Sequence, residues 1–567
     1  MNGCGSRGEK VHVEARKGKV CEIAAVTATS YSNPYWDVEL RAEFTHTDSG
    51  VMMNVSGYYD GEVGADNQCW RIRWTPVEVG EWTCRVFSIP EDVQLKRTFS
   101  IIAEPAEMGS RGFLRADPAR PFGFRFDNGE PFFLFGDTMY NLFGAHYCGV
   151  DVESVLKLRI SQGINYIRAR LQVSPYHPDV PNQWQNRDCW PWGGSAQLPD
   201  FTRFNLAYFK SVDEIVELAS ELGIGLELIL QGWLFEFPFN DRGTFIAEYE
   251  ELWHQYIVAR YAAYDSVYLW CPANEYEFYP TGAAGTYHKE SNRWLKRLSR
   301  QIRSEDPYAH PIGAHNWEKS MPLHERLGDC DTIEVYLVQT DWGDETAGGQ
   351  QDASLCKGVE KDMRTHSAHS AHPAKVAVCA EFGYERTEGL FTAPWHERMD
   401  QHHTRRGQWR AGFSGYSVIH GFNNTWGAHM RIDKDALGTA YLHPYFRFMT
   451  GIVRFDTLVP APEQLVLASG SEEAGTMPLC LSDEGRGVVA VGGAGLIIVY
   501  FPTSGSCEVA ADPADGGSYR WYNPRNGELT GSLPFVRRAF ASPNSQEGTP
   551  GGDDWVLLLD RRAKVGD

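Results

Sequence analysis

At 567 residues the chain is too long for one hydrophobic core, and two to four domains are expected. With 53 Lys and Arg against 74 Asp and Glu, the formal charge is −21, which excludes binding of nucleic acid by phosphate neutralisation. The composition, 42% hydrophobic and 22% charged with no apolar run long enough to span a bilayer, is that of a globular protein without a membrane partner.

Aromatic residues make up 13% of the chain, with 18 Trp and 26 Tyr. Large β-rich cores account for most of them, and sugar-binding clefts also use aromatic faces. The twelve Cys are scattered singly and none has the spacing of a zinc ligand pair, as expected of buried thiols in a reducing compartment. The first twenty residues, MNGCGSRGEKVHVEARKGKV, contain no apolar core of a secretory signal, so a cytoplasmic protein is the simpler expectation, a secreted protein whose signal has been removed being the alternative. His366, His369 and His372 in THSAHSAHP suit one helix face, but the surrounding Ser, Ala and Pro read as a solvated loop; neither metal nor cofactor is expected.

Residues 1–104 alternate apolar and polar positions, as in Val38 to Phe44 and Trp70 to Trp74, with turns at Tyr59-Asp60-Gly61 and Val79-Gly80-Glu81. This predicts an N-terminal β-sandwich, with Trp36, Trp70, Trp74 and Trp82 in its core. Between 105 and 450 the pattern changes to strand-then-helix units. Strands are predicted at Phe132–Gly136, Asn165–Leu171, Leu226–Leu230, Val267–Cys271, Pro311–Ala314, Thr332–Leu337, Val376–Ala380 and Tyr416–His420. Between them, sets such as Phe209, Val212, Ile215, Val216 and Ala219 recur at helical spacing. Eight alternations fit an α/β fold, a (β/α)8 TIM barrel; an open doubly wound sheet would show a Gly-rich loop after its first strand, absent from PFFLFGDTMYNLFG. The segment from Val173 to Asp200 is a long Trp-bearing loop, and Trp184, Trp190 and Trp192 either wall a cleft or pack the loop onto the barrel. Strands without helices return over 451–567, a C-terminal β-sandwich around the turn Asn523 to Gly527.

Two strands end in acids. Val376–Ala380 runs into Glu381, and Val267–Cys271 runs into Asn274 and Glu275. Strands four and seven of a barrel face each other across its mouth, so the two carboxylates can converge over the axis. Glycosidic bond cleavage requires such a pair, one carboxyl to protonate the leaving oxygen and one to attack or to activate water. Glu277 and Glu385 are rivals, because a register shift would substitute them.

Asn274-Glu275 together with Glu381 resembles clan A of the retaining glycoside hydrolases. The runs YIVARYAAYDSVYLWCPANEYE and PFFLFGDTMYNLF are more narrowly similar to the apiosidase-like barrel proteins. YSNPYWDVELRAEFTH through GEWTCRVFSIP resembles an N-terminal β-sandwich found ahead of such barrels, and RWYNPRNGEL with DDWVLLLD resembles a small C-terminal β domain named for collagen binding. The resemblance implies Glu275 as acid/base and Glu381 as nucleophile. It also implies Arg168, with Arg170 competing for the role, as the Arg that hydrogen-bonds the nucleophile. Asn274 would then hold a sugar hydroxyl, and Trp426 would floor the site. Asp137, Trp233 and His315 sit at other predicted strand ends as hydroxyl binders, and Tyr336 as a group positioning the nucleophile. The expected function is retaining hydrolysis of a small oligosaccharide or glycoside, cut from one end. The alternatives are a non-catalytic carbohydrate-binding protein and a transglycosidase. The expected partner is a carbohydrate substrate, and association into a homo-oligomer stays open.

Overall fold

The computed structural model describes residues 13–64, 67–172, 189–232, 236–279, 289–317, 321–340, 357–367, 374–390, 392, 397, 399–426, 430–466, 478–483, 495–543 and 554–561. Eight parallel strands form the central sheet. They are β1 (Phe135–Thr138), β2 (Tyr166–Arg170), β3 (Gly225–Ile229), β4 (Val267–Cys271), β5 (Gly313–His315), β6 (Val335–Gln339), β7 (Val376–Glu381) and β8 (Ser417–His420). Pairing runs β4-β3-β2-β1-β8-β7-β6-β5. The ring closes where Trp270 of β4 pairs with Ile312 and its backbone N–H donates to Pro311 O at 3.0 Å. This is a TIM barrel.

Two apolar sets divide the barrel. Leu134, Tyr166, Ile229, Leu269, Leu337, Val378 and Ile419 fill the inside, over a floor of Leu114, Phe124 and Phe126 from a short hairpin beneath. The alternate residues, including Phe135, Ile167, Tyr336, Val338, Ala377, Cys379 and Val418, face the helices. Helix α3 (Leu206–Leu222) shows how sequence sets an element. Asn205 caps it by accepting from the Tyr208 N–H, Gly223 at φ +70° ends it, and Phe209, Val212, Ile215, Val216 and Ala219 are all buried. The other helices used below are α1 (Leu142–Tyr147), α2 (Val152–Ser161), α4 (Ala247–Tyr261), α5 (Lys289–Glu305), α6 (Leu323–Leu327), α7 (Lys357–Ser367) and α8 (Gln401–Phe413).

The N-terminal region pairs Val13–Arg16, Arg97–Glu104, Gly80–Ile89, Glu39–His46 and Met52–Ser56 in one sheet and Cys21–Thr27, Asn67–Trp74 and Tyr58–Val63 in a second. Between them Phe44 stacks on Trp74, and Trp82 meets Trp74 edge-to-face. Trp70 is buried as well, but Trp36 is 47% exposed and lies outside this core, contrary to the alternation-based expectation. Its neighbourhood explains the difference: it sits in the Asn33–Asp37 turn, with its ring edge against Tyr249 of α4. The sandwich is tied to the barrel by buried charges, Arg73 and Arg260 both clasping Asp213 of α3 at 2.8 and 2.6 Å.

On the other side, a six-stranded and a three-stranded sheet after residue 458 share a core, and the six-stranded one packs against α8. Arg405 of α8 and Asp554 form a wholly buried ion pair at 2.9 Å, and Trp409 stacks on Tyr500. The predicted strand Val488–Val491 lies outside the described residues. Among the described residues no helix is long and apolar enough to cross a membrane. His366 is buried at the end of α7, its Nδ1 accepting from the Leu323 N–H, rather than in a solvated loop; His369 and His372 lie outside the described residues.

Candidate active site

The two strand-end acids meet at the C-terminal mouth of the barrel, and irregular backbone puts them there. Interior positions on β7 are Val376, Val378 and Ala380, so plain alternation would send Glu381 outward with Ala377 and Cys379. A bulge prevents this: β6 pairs Val338 with Cys379 but Gln339 with Glu381, skipping Ala380. The extra residue turns Glu381 to the same side as Gln339. Glu275 is held in the left-handed region at φ 52°, ψ 57°, one of four non-glycine residues with positive φ among those described. Such a conformation costs about 1–3 kcal/mol and persists only where its surroundings enforce it.

Gln339 joins the pair. Its Nε2 donates to Glu275 Oε1 at 3.2 Å and to Glu381 Oε1 at 3.0 Å. Because one nitrogen touches both, those oxygens lie at most 6.2 Å apart, the sum of the two contacts. Burial, then the charges of Glu381 and Glu277, push the Glu275 carboxyl well above the ordinary carboxylate range, while the Gln339 hydrogen bond opposes the rise.

Around Glu381, Tyr140 donates to Oε2 at 3.1 Å, with Tyr384 hydrogen-bonded to Tyr140 at 2.9 Å. Arg168 Nη1 donates to the Tyr140 oxygen at 2.8 Å and stands 3.5 Å from Glu381 Oε2. Its nearest carboxylate is Glu227 of β3, at 3.1 Å from Nε, and its Nη2 donates to Asn274 Oδ1. Arg168 therefore reaches Glu381 mainly through Tyr140 rather than by the direct hydrogen bond the family resemblance implied. Arg170 pairs with Glu236 at 3.0 Å.

Three further predicted residues stand at the mouth. His315 Nδ1 accepts from the Glu275 N–H at 3.1 Å, which leaves its proton on Nε2, 3.6 Å from Glu381 Oε2. Burial and then Arg168 hold this imidazole neutral, its pKa well below the ordinary value. Asn274 is fully buried, and its Nδ2 has no hydrogen-bond partner among the described residues. Trp426 stacks on Tyr384 at 4.7 Å and stands edge-on to Tyr140.

Two predicted residues do not join them. Asp137 lies on the outer parity of β1, its carboxylate bonded to Arg159 of α2 at 2.7 Å and to Thr425 at 3.3 Å. Tyr336 lies on the outer parity of β6, packed in the layer between strands and helices. Strand alternation decides both cases: the predicted β6 stopped at Leu337, two residues short of Gln339, which is in phase with the interior. Likewise Tyr140, rather than Asp137, is the side chain just past β1 that enters the site. Trp233 and Trp184 lie outside the described residues. Trp190 and Trp192 pack the loop down, Trp190 stacked on Phe237 and Trp192 tilted against Trp253. The rival acids are engaged elsewhere. Glu277 is paired with Arg326 at 2.7 Å and accepts the Trp317 N–H at 2.9 Å; Glu385 accepts from Thr404 Oγ1 at 2.5 Å and the Gly438 N–H at 2.7 Å.

Residues 123–441 match the family profile described as "Apiosidase-like, catalytic domain". Residues 15–88 match a domain of unknown function, DUF5060, and residues 481–560 the "Putative collagen-binding domain of a collagenase". Among solved structures, a "putative glycoside hydrolase" from Bacteroides vulgatus ATCC 8482 is 17% identical at a TM-score of 0.65, over 96% of this chain and 99% of that one. A glycoside hydrolase family 5 structure from the same organism is 16% identical at 0.58, over 80% of this chain and 95% of that one. At such identities these two establish the fold. The sequence has no match among curated proteins. With more than half its length matched, and with paired acids at the mouth of a TIM barrel, the chain belongs to the apiosidase-like family and is a glycoside hydrolase.

Proposed function

We propose that the enzyme cleaves its glycoside by double displacement, with Glu381 as nucleophile and Glu275 as acid/base. The observation that carries this reading is the shared Gln339 nitrogen. A limit of 6.2 Å between the bridged oxygens accords with the ~5–5.5 Å of retaining pairs and falls short of the ~6.5–9.5 Å that inverting enzymes keep for a water. Glu275, with its raised pKa, enters the cycle protonated and gives its proton to the leaving oxygen as Glu381 bonds to the anomeric carbon. Formation of that ester removes the Glu381 charge, so the Glu275 pKa falls and the same carboxylate takes a proton from the attacking water. The free Nδ2 of Asn274 and the Nε2–H of His315 are donors for hydroxyls beside the reacting carbon, and Trp426 walls the sugar.

The substrate we assign is a short oligosaccharide or simple glycoside cut from one end, with 1–104 and 451–567 as flanking domains around a catalytic unit of 105–450. A screen of aryl glycosides that includes pentosides and furanosides identifies the sugar. Mechanism is tested by following the first-formed anomer by NMR and by azide rescue of Glu381→Ala. Retention with rescue is expected; an inverted product, or full activity in Glu381→Ala, refutes the assignment. Product analysis with an added sugar acceptor separates hydrolysis from transglycosylation.

A further inference from the structure

The seam between the N-terminal sandwich and α4 contains a cavity of about 300 Å³, the lower end of the range for small-molecule sites. Tyr35, Tyr59 and Tyr256 line it. Trp36, also in its lining, is 47% exposed and touches Tyr249 only edge-on, so much of the indole faces solvent. Glu248 and Glu251, both solvent-exposed, and the half-buried Gln255 line the same cavity from one side of α4, and among the described residues their side chains and the Trp36 indole N–H make no hydrogen bond within the protein.

From this arrangement we infer that the seam is a second carbohydrate site, which holds a neutral glycan away from the catalytic mouth. A sugar ring is amphipathic, with a C–H face that stacks on an aromatic plane and a rim of hydroxyls that need acceptors and donors. Trp36 supplies the plane, the carboxylates of Glu248 and Glu251 accept, and the Gln255 amide does both. Charge narrows the class. Glu39, Glu248, Glu251 and Glu305 surround the cavity against the single cation Arg41, which is already committed to Glu39, Glu305 and Ser56. A uronate-rich chain is repelled by such a wall; a neutral one is not.

Position gives the site a use. Glu250, in the same turns of α4, accepts from Gln231 Nε2 at 2.9 Å, which places this end of the helix beside the residues that follow β3 at the mouth. The cavity therefore runs along the barrel flank from the mouth side of α4, at Glu248, toward Glu305 at the end of α5, so a chain bound there lies on the flank leading to the mouth.

The test is affinity electrophoresis of a Glu275→Gln/Glu381→Ala double variant, which does not digest the matrix, through gels containing galactomannan, arabinoxylan or xyloglucan, with polygalacturonate as the anionic counterpart. At least one neutral gel retards the parent. Adding Trp36→Ala weakens that retention at least tenfold, and Trp36→Tyr keeps it within about threefold. In the background with both acids intact, Trp36→Ala retains the melting temperature and aryl-glycoside turnover of the parent. The inference is overturned if no neutral gel retards the parent, if Trp36→Ala is retarded equally, or if polygalacturonate retards the parent as strongly. It is overturned as well if Trp36→Ala loses turnover, since the site is then part of the catalytic unit. The readout is binding, so it stands or falls apart from which carboxylate attacks.

Discussion

Replacing Gln339 by Leu removes both donated hydrogen bonds and preserves most of the side-chain volume. A hydrogen bond to a charged group contributes about 1.5–3 kcal/mol. In the ground state only Glu381 carries charge, but as Glu275 surrenders its proton it becomes an anion facing the same nitrogen at 3.2 Å. The bond to Glu275 therefore strengthens toward the transition state, the condition for an interaction to raise kcat. Its loss predicts a fall of about 10- to 100-fold in kcat/KM, which corresponds to about 1.4–2.8 kcal/mol. The pH profile carries a second, independent signature. Gln339 holds the Glu275 pKa down against burial and the neighbouring charges, so its removal lets that pKa rise further. Because the acid must be protonated, the alkaline limb of kcat/KM moves to higher pH in Gln339→Leu. The assay is kcat/KM against pH on an aryl glycoside, with the melting temperature as a check of folding. A folded Gln339→Leu enzyme with kcat/KM within twofold of the parent, or with an alkaline limb unmoved or shifted to lower pH, refutes the bridging role.

Glu275→Gln and Glu277→Gln separate the proposed acid from its rival. The first loses activity on glycosides with poor leaving groups and recovers much of it on dinitrophenyl glycosides, which need no protonation; the second keeps kcat/KM within about tenfold but loses about 3 kcal/mol of stability, because it breaks the buried pair with Arg326. Kinetics on both leaving-group classes and chemical denaturation read the two effects. Asp554→Ala leaves Arg405 buried without its main counter-charge, and a loss of about 3–5 kcal/mol in unfolding free energy is expected, measured by urea titration. Burial pushes the Glu385 carboxyl up to about 7. A carboxyl whose folded pKa exceeds its unfolded value binds more protons when folded, so its contribution to stability is present below about pH 4.3 and is lost as pH rises toward 7. Glu385→Gln mimics the protonated form and removes a slope that amounts to about 4 kcal/mol across that window. Melting curves from pH 4 to 8 check it, and parallel profiles for parent and variant refute it.

What the sequence reveals follows the distance over which a residue's role is decided. Strands β3, β4 and β7 are predicted to within a residue at each end, because burial on both faces writes β4 and β7 as nearly continuous apolar runs and β3 as one interrupted only by the buried Glu227; the α3 face follows from its own 3.6-residue period. The predicted strand ends supply Glu275, Glu381 and His315, and the family resemblance adds the roles of the two acids and their neighbours Asn274 and Trp426. Side-chain direction at a strand end depends instead on phase, and phase is lost when an end is misplaced by one residue. Predicted β1 began at Phe132 where the observed strand begins at Phe135, and the acid singled out there, Asp137, faces α2. On β6 the apolar run hides its polar end, so Tyr336 stood in for Gln339. The bulge at Ala380 shows why no periodic rule suffices: strict alternation places Glu381 outside the barrel, and only its pairing with Gln339, 42 residues away, brings it in. The same contact sets the register of β7, orients one carboxylate and tunes the other. A local reading finds the acids; the geometry that makes them a pair is non-local and belongs to the closed barrel.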